Sequence, residues 1–146
     1  MFKILLATDG SESSLNAASF VADLFGKNGG LITVIHVFSM PTIPAATTYA
    51  PAAGSIDWDQ VVAEMERASH DVLTKTAAVL ADRGITAQTV LLRGRPADEI
   101  CKYAENGDYD LIVVASRGQS TLKQVLLGSV SEGVSHNCKK AVLIVK

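Results

Sequence analysis

The sequence predicts an α/β fold, a mainly parallel open sheet with helices packed on both faces. Three observations predict it. Short β-branched runs alternate with longer helical patterns in the order βαβαβαβαβ. Each run is apolar almost throughout, as expected of strands covered on both faces. Apolar residues make up 48% of the chain and aromatics 5%, which suits a core of Val, Ile, Leu and Ala between sheet and helices. A chain of 146 residues fits one domain spanning residues 1–146. Folding at that size removes about 68–70% of the unfolded surface from water, so no metal or disulfide staple is required.

The elements follow in order. Residues 3–8 form the first candidate strand. Leu15, Ala18, Ala22 and Phe25 then recur at helical spacing, and the pattern stops at Asn28-Gly29-Gly30. Residues 31–38 form the second strand. The connection 39–55 holds Pro41, Pro44, Pro51 and Gly54 and has no period; loops of that length are usually functional or disordered, and it reads as a flap near a ligand ahead of a neutral insertion. A second helix covers residues 57–83, with Val61, Val62, Met65, Ala68, Val72, Leu73 and Leu80 as its stripe and Gly84 closing it. Residues 86–92 form the third strand. Pro96 opens the third helix, where its missing N–H costs nothing, and Asn106-Gly107 ends it. Residues 110–115, 129–137 and 141–145 complete the chain as strand, helix and strand.

Charge and cysteine usage exclude several function classes. The net charge of −2 leaves no basic stripe, so nucleic acid is a poor partner. The apolar runs are too short to span a bilayer, and the N-terminus lacks the long apolar core of a signal peptide. Cys101 and Cys138 make neither a disulfide framework nor a paired-cysteine metal motif. They read as free thiols, which favour a reducing cytoplasm.

The chemistry concentrates after the fourth strand, in residues 116–131. Ser129 and Glu132 have the spacing of a capping box preceded by Gly128, which places a helix N-terminus at Ser129. Its unpaired N–H groups and dipole favour an anion. Gly118 and Gly128 allow close backbone approach, and Arg117 with the hydroxyls of Ser129 and Ser131 would add hydrogen bonds to phosphate. An ordinary capped strand–loop–helix connection would look much the same. A second polar cluster, Asp9-Gly10-Ser11-Glu12-Ser13-Ser14, follows the first strand. With strand order 3-2-1-4-5, both loops face the crevice where the order reverses, and Asp9 would accept hydrogen bonds from a ribose or adenine group. Asp9 and Ser11 equally suit helix capping. His36 reads as a packed or edge strand residue rather than a base, and His70 and His136 lie far from it in sequence. No triad spacing, metal-ligand cluster or Walker lysine stands out, which leaves slow ATP hydrolysis at most.

Ala7-Thr8-Asp9-Gly10-Ser11, Gly94-Arg95-Pro96-Ala97-Asp98-Glu99-Ile100 and Ser116-Arg117-Gly118 with Gly128-Ser129 resemble the universal stress protein family over the whole chain. ATP-binding members carry Gly-x-x-Gly, nine residues, then Gly-Ser or Gly-Thr. Gly118, Gly128 and Ser129 stand at that spacing, and Ala115 replaces the first glycine. The resemblance implies a five-stranded 3-2-1-4-5 sheet of the Rossmann-like, adenine-nucleotide-hydrolase type. It also implies a homodimer through Ala141–Val145 and ATP held by Asp9, Val37, Arg117, Gly118, Gly128 and Ser129. Mg²⁺ would accompany ATP, and AMP or ADP are alternatives. Ala7, Thr8, Val114, Ala115, Ser116, Val130 and Ser131 complete the expected site. A dimerisation and protein-interaction module without nucleotide is the second class. A nucleotide-dependent enzyme or phospho-receiver is the third, disfavoured because the third strand ends in Arg93-Gly94-Arg95 rather than carboxylates.

Overall fold

The computed structural model describes residues 1–41, 56–117 and 127–146. Most of the flap expected at 39–55, and Gly118 of the expected phosphate loop, lie outside the described residues. Strands β1 (Lys3–Ala7), β2 (Leu31–Phe38), β3 (Gln88–Arg93), β4 (Leu111–Ala115) and β5 (Ala141–Val145) form one sheet in the order β3-β2-β1-β4-β5, every pair parallel. Helices α1 (Glu12–Phe25), α2 (Trp58–Ala81), α3 (Pro96–Asn106) and α4 (Ser129–Asn137) connect them.

Period-2 alternation divides the core. Ile4, Leu6, Ile32, Val34 and Val113 face α1 and α2, where they meet Ala17, Ala18, Val21, Leu73 and Leu80. Leu5, Ala7, Ile35, Val37, Ile112 and Val114 face α3 and α4, where they meet Ile100, Ala104 and Val134. The three central strands are covered on both faces as expected. The outer two, β3 and β5, are only partly buried, because an edge strand has one neighbour.

Local chemistry sets the boundaries. Ser11 caps α1 by accepting from the Ser14 N–H, and Asp57 caps α2 by accepting from the Gln60 N–H. Gly84, at φ +79°, turns the chain out of α2 while its N–H donates to the Ala81 carbonyl. The buried stripe of α2 is Ser69, Leu73, Thr76 and Leu80, and Ala68 is exposed. Two hydroxyl residues therefore sit where an apolar stripe was expected. Ser69 and Thr76 are admitted because their hydroxyls donate to the carbonyls of Met65 and Val72, one turn back.

The cysteines correct the free-thiol expectation. Cys101 in α3 and Cys138 at the C-terminal cap of α4 are disulfide-bonded, with Cα atoms 5.0 Å apart. They stand 37 positions apart in sequence, and the parallel packing of α3 against α4 brings them together.

A candidate nucleotide crevice at the strand ends

The carboxyl ends of β1, β2 and β4 open into a crevice of about 100 Å³ at the point where strand order reverses. Ala7, Thr8 and Asp9 at the end of β1, Val37 in β2, and Val114, Ala115 and Arg117 at the end of β4 line it. Val130 in the first turn of α4 joins them. The walls are largely apolar, with polar groups confined to a few points, as in ordinary small-molecule sites.

The β1 wall is fixed by a hydroxyl network. Asp9 Oδ1 accepts from the Ser11 N–H at 2.9 Å and from the Ser14 hydroxyl at 3.0 Å. Thr8 Oγ1 lies 2.8 Å from Thr76 Oγ1 of α2 and donates to Ser14 Oγ at 3.1 Å. Thr8, Ser14 and Thr76 are all buried, and each hydroxyl is satisfied within this network or by a backbone group beside it. The Asp9 turn thus both starts α1 and edges the crevice. His36 Nδ1 lies 2.7 Å from the Thr8 carbonyl, which only accepts, so Nδ1 carries the proton. His36 is a packed strand residue as expected, yet it also lines the crevice.

The β4 wall is built around Ser116. Its N–H donates to the Val145 carbonyl at 2.8 Å and so extends the β4–β5 ladder. Its carbonyl accepts from the Gly128 N–H at 2.6 Å and from the Ser131 hydroxyl at 3.2 Å. The segment between Ser116 and Gly128 is therefore closed at its neck. Gly128, not Ser129, is the N-cap of α4, and Ser129 is the first helical residue and exposed. The expected capping box does not form, because the cap position is a glycine and has no side chain to accept from the first turn. Ser131 takes the structural part instead, donating to the Gly128 carbonyl at 3.0 Å, and is itself buried. Ser116, Gly128 and Ser131 shape the wall, and Ser129 presents its hydroxyl at the helix start.

Sequence reasoning missed Ser14, Ile35, His36, Pro96 and Ile100 as lining residues. Pro96 was legible only as a helix start. Its place in the lining follows from α3 packing on the sheet face over β2. Among the described residues no group of three or more His, Cys, Asp or Glu side chains is placed to hold a metal, and no helix is long and apolar enough to cross a membrane.

A model of the universal stress protein family matches residues 1–146. The chain belongs to this family. Universal stress protein MJ0531 of Methanocaldococcus jannaschii is 33% identical over 144 residues, covering 99% of this chain and 81% of that protein. The solved structure of MJ0577, from the same organism, has a TM-score of 0.72 at 28% identity and covers 99% of this chain and 95% of its own. A universal stress protein solved in complex with cAMP has a TM-score of 0.67 at 25% identity, with 99% and 96% coverage. These likenesses extend over the whole α/β fold described above.

Proposed function

We propose that the crevice binds an adenine nucleotide, ATP ahead of AMP or ADP, and that this universal stress protein acts as a nucleotide-dependent regulatory module in a cytoplasmic stress response. The observation that carries this reading is the convergence of Asp9, Val37 and Arg117, from three different strand ends, on one crevice beside the first turn of α4. An adenine ring suits the apolar wall of Val37, Pro96, Ile100 and Val114, with Asp9 accepting from the base or ribose. The phosphates, with Mg²⁺ accompanying them, suit Arg117 and the N–H groups at the start of α4. Gly118 is assigned to the same phosphate loop on its spacing alone. The relative solved with cAMP supports a nucleotide in this fold.

Isothermal calorimetry with Mg-ATP on the full chain tests the reading. Saturation at a hundredfold excess over Kd should stabilise the fold by about 2.7 kcal/mol in thermal melts. Arg117→Ala should cost about 1.5–3 kcal/mol of affinity, one charged hydrogen bond. Absence of both heat and melting shift in the wild type overturns it.

One observation favours the alternative, an interaction module without nucleotide. Ala115 lines the crevice where ATP-binding members have glycine, and its methyl group takes up room there. If crowding is the obstacle, Ala115→Gly restores binding that the wild type lacks.

We also propose a homodimer through Ala141–Val145. Among the described residues β5 pairs with β4 alone, and its apolar side chains remain partly exposed, a state that favours covering by a second copy. Light scattering should give twice the chain mass at micromolar concentration, and Val142→Lys should return it to the monomer value. A monomeric wild type counts against the interface.

A further inference from the structure

The helices α3 and α4 run side by side and touch at three successive levels. Nearest the crevice, Gly133 approaches Ala97 so closely that a Cβ on Gly133 would lie 2.7 Å from the Ala97 Cβ. At the next level, Cys101 is bonded to Cys138. Furthest away, Glu105 Oε1 accepts from the Lys139 N–H at 3.4 Å. The same two helices supply Pro96, Ile100 and Val130 to the crevice. Ile100 precedes Cys101 directly, so the covalent clasp sits beneath one wall of the site. Its closed loop encloses β4 and everything between Ser116 and Gly128.

We propose that Cys101–Cys138 is a thiol–disulfide modification site that sets how firmly the α3–α4 wall is held, and through it the affinity of the crevice. The coupling to affinity rests on the nucleotide reading above; the effect on the wall does not. The two sulfurs are unequally placed. Cys101 is 7% exposed and packed with Ile100 and Ala104, whereas Cys138 is only partly buried at a helix end and is followed by Lys139 and Lys140. An incoming thiolate, from a dithiol reductant, therefore attacks Cys138 Sγ. The S–S bond breaks, Cys101 leaves as thiolate and takes a proton from water, and a mixed disulfide remains on Cys138. The reductant's second thiolate then attacks its own sulfur in that mixed disulfide and releases Cys138. Two electrons pass from the dithiol to the cystine, and the reductant leaves as a disulfide. Oxidation by a disulfide partner runs the same steps in reverse.

With the bond closed, α3 and α4 are one body and the wall is preformed. With it open, only the Ala97–Gly133 contact, the Glu105 hydrogen bond and side-chain packing hold them. A ligand that needs an ordered wall then binds less tightly, because binding must supply the ordering.

The test uses the full chain in two states, air-oxidised and treated with dithiothreitol, with thiol content fixed by alkylation and mass spectrometry. Amide hydrogen exchange is read over residues 96–106 and 129–137, and Mg-ATP affinity by calorimetry. Reduction should speed exchange in both helices and weaken Mg-ATP by at least about 5-fold, the low end of ordinary coupling. A Cys101→Ala, Cys138→Ala double variant should match the reduced chain and no longer respond to dithiothreitol. Unchanged exchange in the reduced wild type, equal Mg-ATP affinity in two states that both bind, or a double variant that still responds would each overturn the proposal. Failure of both states to bind Mg-ATP would sink the nucleotide reading instead, and faster exchange on reduction would still support the modification site.

Discussion

On one face of the sheet lie helices of 14 and 24 residues; on the other lie helices of 11 and 9. The long pair reaches its stability by ordinary burial. Ala17, Ala18, Val21 and Leu80 are completely inaccessible, and the Thr8–Thr76 hydroxyl contact ties α2 to the end of β1. The short pair has fewer turns to bury, and there the chain adds a covalent bond and a glycine-to-alanine approach. Closing a loop of 37 residues' separation is worth about 4 kcal/mol in the chain-entropy model, comparable to burying two large side chains. The crevice lies between these constructions, with one wall held by packing and hydroxyl bonds and the other clasped by sulfur. Only the second can be changed by solution chemistry without a mutation.

The largest expected effect tests whether the two faces are independent. Leu80→Ala removes a fully buried side chain from the α2 face and should cost about 2–5 kcal/mol, read as a lower urea midpoint at unchanged slope. Repeating the measurement in dithiothreitol should give the sum of the two separate losses to within about 0.5 kcal/mol. A clear departure from additivity would mean the sheet transmits strain between its faces and would break the contrast. A smaller effect sharpens it. Gly133→Ala should cost about 1–3 kcal/mol by overpacking against Ala97, partly offset by about 1 kcal/mol of helix propensity. Ala97→Gly in the same chain should restore the loss. The penalty should also shrink on reduction, because an unclasped α4 has room to shift.

Much of the fold was legible because its signals are local. Pro96, Gly84 and the Asn28-Gly29 stop act through their own backbone geometry, and the strand runs carry their burial in their composition. The lining of the candidate crevice was legible where family spacing coincided with strand ends, as at Asp9, Val37, Ala115 and Arg117. The remainder depends on what lies across the sheet. Cys101 and Cys138 meet only because α3 and α4 pack side by side, and nothing in their spacing announces it. Thr76 reads as a polar interruption of a helix stripe until Thr8 is seen opposite it. The last helix starts at Ser129 as its spacing indicates, and only its cap falls one residue earlier, at Gly128.

Ser116 carries a consequence for mechanics. A single residue engages the last strand through its N–H and the start of α4 through its carbonyl. It works as a shared hinge pin: the final residues of the chain and the first turn of the helix cannot part from β4 separately without loosening a joint the other uses. A load applied at Gly128 by anything seated against the helix start is therefore felt at Val145, on the outer rim of the sheet, one peptide away.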